Sequence, residues 1–259
     1  MKFNLIICLA LIILISGLYH AANAATGFEY RPDEHTIGLW HFNEGSGATV
    51  KDKSQNNIKA EIEGKAKWGQ DEWNEEGGGK SFEFDGKNSA INIGPMKDKR
   101  ANKLLTPDNT ITVEAWVYPT DLTSWKLICC HWSAAVGKYH LGVTNGVPNM
   151  HVNTDKGTAN AAWYHVAGTY DGKNIKIYIN GKLEGSAPHK GKMATGSPWD
   201  VMVGTKGSRE FKWVGFIDEV RVSSIARKAE ELSPNFDGPQ AVKFNSSGLP
   251  VHWGELKKK

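Results

Sequence analysis

The chain has 259 residues, 10% aromatic and 23% charged, with 31 Lys and Arg against 28 Asp and Glu for a formal net charge of +3. So many aromatic side chains are too much apolar area to leave wet, which excludes whole-chain disorder. So small a positive excess carries no nucleic-acid footprint.

Residues 1–24 read as an export signal. Lys2 supplies a positive start, Leu5 to Ile15 is an unbroken apolar run, and Ala22-Asn23-Ala24 offers a small-x-small cut before Ala25. The run falls short of the about 20 apolar residues a membrane span needs. A cleaved signal is the reading, with an uncleaved N-terminal anchor as the alternative. Either places the domain outside the cytoplasm: secreted, periplasmic or on the cell surface.

The next segments alternate and turn. Ser81 to Phe84 ends in Asp85-Gly86 and is followed by Ala90 to Ile93. The acidic stretch from Gln70 to Gly79 reads as a long loop, and Lys97, Lys99, Arg100 and Lys103 as a solvated one. Thr110 to Tyr118 sends Ile111, Val113, Ala115 and Val117 to one face and Thr112, Glu114, Trp116 and Tyr118 to the other, the period of a strand. Adjacent Cys129 and Cys130 point to opposite faces and read as two half-buried thiols, a vicinal redox disulfide being the alternative, with no disulfide framework and no Cys-x-x-Cys zinc site. Tyr139 to Val143, Asn145-Gly146 and Val147 to Val152 form a hairpin. Trp163 to Thr169, Asp171-Gly172, Asn174 to Ile179 and Asn180-Gly181 follow, the Asx-Gly steps being strong turn signals. Val201 to Gly204 and Gly215 to Val222 close the series, before a short helix over Ser224 to Leu232. The domain reads as residues 25–233 and the rest, 234–259, as a tail in which Trp253 is placed to dock. Asn245-Ser246-Ser247 fits a glycosylation sequon, which matters only in a eukaryotic secretory pathway. Many strands, many turns and almost no helix predict an all-β, antiparallel two-sheet sandwich.

Five segments, in order, carry a family resemblance: Gly38-Leu39-Trp40-His41-Phe42-Asn43-Glu44-Gly45-Ser46-Gly47, Phe84-Asp85-Gly86, Thr112 to Val117, Trp163 to Gly172, and Phe216 to Val222. Together they resemble the LamG-like jelly roll of the concanavalin A-like lectin/glucanase superfamily. The resemblance implies a jelly-roll sandwich that binds glycans or proteins, often with Ca²⁺, and usually does no chemistry. It also implies a structural Ca²⁺ between the first and last strands, where Asp218 matches the usual carboxylate. Alternation puts Asp218 on the face of Val220 and Val222, a buried side where a carboxylate needs a cation or several donors. Asn43 and the carbonyl of Gly86 are the further candidate donors. The alternative is that Asp218 caps backbone N–H groups in the adjacent turn.

Enzymes of the superfamily carry a Glu-x-Asp-x-x-Glu strand, with two carboxylates about 5–5.5 Å apart. Here Glu83-Phe84-Asp85-Gly86-Lys87-Asn88 lacks the second glutamate, and Asp71 to Glu76 carries carboxylates without strand alternation. No Gly-x-Ser-x-Gly or His-Glu-x-x-His is present. His131, His140 and His151 fall on three neighbouring strands, but no carboxylate stands behind them, so they read as ordinary strand histidines.

For a sugar the useful residues are aromatic rings at loop ends, which stack on its apolar face. Trp40, Trp116 and Trp163 lie inside strand patterns and read as packing. Trp125, Trp132, Trp199 and Trp213 fall at strand starts or in loops, with Arg209 and Asp200 nearby to add hydrogen bonds. The expectation is an exported, non-catalytic, carbohydrate-binding module whose partner is a glycan or polysaccharide. The alternative is a protein-interaction or structural surface module binding a surface or matrix protein, and the third reading is a divergent glycosidase or polysaccharide lyase. No nucleic acid is expected as a partner.

Overall fold

Period-two alternation between turn residues does build sheets. The computed structural model describes residues 29–65, 67–69, 80–133, 136–144, 147–150, 163–193 and 199–232. The expected export signal, the acidic loop, His151, the sequon and the tail with Trp253 lie outside the described residues.

The strands in chain order are β1 (Thr36–Trp40), β2 (Thr49–Val50), β3 (Ala60–Glu63), β4 (Lys67–Trp68), β5 (Phe82–Asp85), β6 (Ala90–Gly94) and β7 (Ile111–Pro119). They continue with β8 (Trp125–Ser133), β9 (Val136–Thr144), β10 (Val147–Asn149), β11 (Tyr164–Tyr170), β12 (Asn174–Ile179), β13 (Lys182–Pro188), β14 (Val201–Val203) and β15 (Val214–Ser223). Among the described residues there are two short helices, α1 (Lys99–Leu104) and α2 (Ala229–Leu232). One sheet has eight strands in the order β13-β12-β11-β7-β15-β5-β4, with β1 added alongside β15; the other has seven, β10-β9-β8-β14-β6-β3-β2. Every strand pairing is antiparallel. The architecture is the all-β antiparallel sandwich that the alternation predicts, in the jelly-roll form that the resemblance implies.

The core lies between the sheets. Ile111, Val113, Ala115 and Val117 of β7 meet Ile91, Ile93, Leu141, Val201 and Val203 of the facing sheet, each contributing about 1.5–3 kcal/mol when a full Val, Leu or Ile is buried. Cys129 joins this core, and Cys130 points the other way, its thiol directed at the carbonyls of Trp132 and Thr205. Both are free and buried, and burial pushes the Cys130 thiol up to about 12. They behave as small hydrophobes.

The outer face of the eight-stranded sheet is covered as well. Tyr30, Leu39, Trp116 and Trp163 form a second apolar cluster there, and Ala167, Tyr178 and Leu232 a third. Beneath them Glu114, with no exposed surface, takes the Arg221 Nε–H at 2.8 Å on one oxygen. His165 Nε2 and the Tyr30 hydroxyl each lie 3.1 Å from the other oxygen. Tyr30 is held further by its N–H to Glu219 and by its hydroxyl, 2.9 Å from the Leu232 carbonyl; Glu219 in turn lies 2.6 Å from His41 Nδ1. Burial pushes the Glu114 carboxyl up, but Arg221 and His165 overcome it and hold it below the ordinary carboxylate range.

Basic residues 97–103 are not a loop: Asp98 accepts the Ala101 N–H and starts α1. The helix in turn supplies Asn102, whose amide N–H groups reach the carbonyls of Gly94 and Trp199. Only Ala229–Leu232 of the expected C-terminal helix is helical.

The connection from β14 to β15 begins at Gly204, whose φ of +80° would place an added Cβ 2.3 Å from the Phe84 ring. Gly204→Ala therefore combines a left-handed strain with overpacking, and should cost about 2–4 kcal/mol. Chemical denaturation reads this directly, and a midpoint equal to wild type would contradict the assigned backbone.

Candidate ligand-binding face

Alternation gives the seven-stranded sheet a second face, turned away from the core. β8 presents Trp125 and Trp132 on it and β9 presents His140, paired across from Cys130. The register shifts between Leu127 and Cys129 and again between His131 and Trp132, bulges of the kind that re-aim a side chain. Trp125 and Trp132 lie 6.1 Å apart between ring centroids, with buried His140 at 6.0 and 5.4 Å from them.

The β14–β15 loop completes the group. Phe211 lies 5.1 Å from Trp125 and runs nearly parallel to Trp132, with an interplanar angle of 14°. The Lys206 ammonium sits 5.0 and 4.5 Å from the centroids of Trp132 and Phe211, in cation–π range, and 2.6 Å from Glu210. Trp125, Trp132 and Phe211 are each half-buried. Three rings thus leave part of their surface to solvent above a buried base.

Arg209 and Phe211 both have left-handed backbone, at φ 64° and 55°. Such residues cost of order 1 kcal/mol each and persist where surroundings over-determine them. Arg209 supplies that constraint. Its Nε and Nη2 each reach one carboxylate oxygen of Glu63 at 2.8 Å, Nη2 lies 3.4 Å from Asp200, and Nη1 donates to the Gly207 carbonyl. The guanidinium that sequence offers as a ligand donor clamps the loop carrying Phe211 to Glu63.

Trp199 stands beside this face, half-buried, its carbonyl taken by Asn102. Gly207 bridges the two groups: its N–H donates to the Trp132 carbonyl, and a Cβ there would meet the Trp199 side chain at 3.0 Å. Asp200 accepts the Met96 N–H and an Asn92 amide N–H. Trp213 is different. It is 1% exposed, packs in the inter-sheet core, and its indole N–H donates to the Phe216 carbonyl at 3.3 Å. That removes it from any ligand set, because the chain turns inward at β15 where position near a loop suggested exposure.

Sequence alone does not single out Phe211, Lys206 or His140 as sugar contacts. The signal for Phe211 was its place two residues before Trp213, but an alternating count sends both to one side. The left-handed turn at Phe211 sends them to opposite sides.

His131 and His140 face opposite sides of the seven-stranded sheet, since His131 pairs with core residue Tyr139 and His140 with Cys130. They form no joint metal site. At β15 the expected phase of Asp218 is also corrected. A bulge between Asp218 and Arg221, with Glu219 at φ 51°, lets Ile217, Val220 and Val222 share the core. Asp218 is buried, and one of its oxygens accepts the Glu219 N–H at 2.8 Å. Asn43 accepts the Lys80 N–H and donates to Glu29. Among the described residues no group of three or more His, Cys, Asp or Glu is placed to hold a metal ion. A hard cation wants six or more oxygens, and the expected donors do not converge: Gly86 follows Asp85, which pairs with Val214, four residues along β15 from Asp218. The melting temperature should be the same in Ca²⁺ and in EDTA; a fall in EDTA would restore the cation.

Glu83 of β5 lies between core residues Phe82 and Phe84, so it faces outward from the eight-stranded sheet, on the opposite side of the sandwich from the aromatic group.

The Laminin_G_3 family model, described as the concanavalin A-like lectin/glucanases superfamily, matches residues 85–233. No curated protein matches the chain. Among solved structures, domain 4 of AbnA, a GH43 extracellular arabinanase from Geobacillus stearothermophilus, solved with arabinotriose, aligns at TM-score 0.53 and 17% identity over 76% of this chain and 96% of that one. The botulinum neurotoxin serotype G binding domain aligns at 0.55 and 15% over 85% of this chain and 54% of its own. The binding domain of Paraclostridial Mosquitocidal Protein 1 aligns at 0.57 and 15% over 77% and 51%. The chain thus spans about half of the two toxin binding domains and nearly all of the arabinanase domain. These likenesses are of fold.

Proposed function

We propose that this chain, which belongs to the concanavalin A-like lectin/glucanases superfamily, is an exported, non-catalytic module that binds carbohydrate on the outer face of its seven-stranded sheet. The observation that carries the reading is the convergence of Trp125, Trp132 and Phe211, half-buried and braced from behind, beside polar groups of the β14–β15 loop. Rings held this way offer a sugar its apolar contact with little entropy left to lose, while neighbouring donors and acceptors orient its hydroxyls. The solved arabinanase domain is in complex with arabinotriose, and entry of botulinum neurotoxin type C depends on two ganglioside molecules. Another toxin binding domain was solved with rat synaptotagmin II, so the same fold also meets protein. Export rests on the residue 1–24 signal pattern.

The test is a binding screen of residues 25–259 against glycans and polysaccharides, with reducing-sugar release followed in parallel. Binding without product is expected. A blank screen with cooperatively melting protein would replace the reading with a protein partner, and product release lost in Glu83→Gln would replace it with hydrolysis.

A further inference from the structure

The charges around the aromatic face are already engaged: Lys212, beside Phe211 in the chain, donates to the Lys87 carbonyl, and the other cations meet carboxylates. Lys206 is paired with Glu210, its own side chain 8% exposed and that of Glu210 61% exposed. Arg209 is shared between Glu63 and Asp200. Lys126, next to Trp125 in the chain, lies 3.0 Å from Asp121. Three cations therefore meet four carboxylates, and the most exposed charge beside the rings is the Glu210 carboxylate. A carboxylate or sulfate on a ligand would have to displace one of these partners and then sit near the carboxylate it displaced. Hydroxyl groups meet no such cost, because the same carboxylates accept from them. We propose that this face takes uncharged glycans and discriminates against acidic ones, an inference that rests on the carbohydrate reading and narrows it. The whole chain, at +3, would on net charge alone favour polyanions, so the local and global electrostatics make opposite predictions.

Native affinity electrophoresis of residues 25–259 at about 0.15 M ionic strength, where screening lengths are about 8 Å, separates them. The probes are pairs that differ in charge: hydroxyethylcellulose with carboxymethylcellulose, and arabinan with polygalacturonate. Binding to at least one neutral polymer is expected, with its acidic counterpart at least fivefold weaker. Glu210→Gln, on an exposed side chain, releases Lys206 and should raise the acidic-to-neutral affinity ratio at least threefold. Acidic polymers bound as tightly as neutral ones by the wild type would overturn the inference and leave the carbohydrate reading in place. No binding to any polymer of either charge would overturn that reading, and the inference with it.

Discussion

Arg221→Met is expected to destabilise the domain by about 3–5 kcal/mol, because it leaves the Glu114 carboxylate buried without its cation. For a domain of this size that is a fall of roughly 6–20 °C in melting temperature. The change removes the 2.8 Å bond to Glu114, the guanidinium's donation to the Glu231 carbonyl and its contact 4.2 Å above the Tyr30 ring. Glu114→Leu combined with Arg221→Met should be less destabilising than the two single changes added together, since the double variant buries no orphan charge. The pH dependence gives a second reading with opposite signs. In the wild type the folded carboxyl of Glu114 titrates below its unfolded value, about 4.3. Its stabilisation is thus present above that value and lost as pH falls through the folded one. Without Arg221 burial dominates and the folded carboxyl rises, so the same residue then costs stability as pH climbs from about 4 toward 7. The wild-type-minus-variant difference should therefore widen with pH across that window. Carboxylates remote from Arg221 cancel in the difference. A variant that melts within about 2 °C of wild type, with no change in pH slope, would show that the pair contributes little.

Trp125→Ala and Trp132→Ala should each weaken glycan binding by at least tenfold, about 1.4 kcal/mol, and together abolish it at accessible concentrations. Both rings lie outside the inter-sheet core, so the variants should still melt cooperatively. The Phe211 ring presents a subtler case, because its position depends on the clamp. Arg209→Lys keeps the charge but loses the two-pronged geometry to Glu63. It should weaken binding without removing any ring, and Glu63→Gln should do the same. Full binding by Trp125→Ala/Trp132→Ala would move the ligand elsewhere on the molecule.

The sheet pattern was legible because β7, β11 and β12 alternate over at least six residues, and β11 and β12 end at Gly-containing turns, where the backbone demands a left-handed residue. Helix α1 was hidden because Lys99, Arg100 and Lys103 carry no apolar stripe; its signal was the capping Asp98. Trp125 and Trp132 were legible as loop-end rings, whereas Trp213 was not, since residue order does not reveal that a connection turns back into the core. Phe211 and the Arg209 clamp depend on two left-handed residues and on Glu63, distant in the chain, and no local pattern encodes such a contact. Asp218 was placed out of phase for a related reason: a single bulge shifts every residue beyond it by one position.

Tyr30 and Asp33 are fastened to Leu232 and Arg227 on the eight-stranded side of the sandwich. The two ends of the described residues therefore both lie on the side opposite the aromatic rings. A tether at either end, whether a leader left in place or a fused neighbour, would hold the domain like a hand with its palm outward. Copies immobilised on a surface through residues before 30 or after 232 should retain their full binding capacity, whereas attachment through Lys97 or Lys212 would leave that orientation to chance.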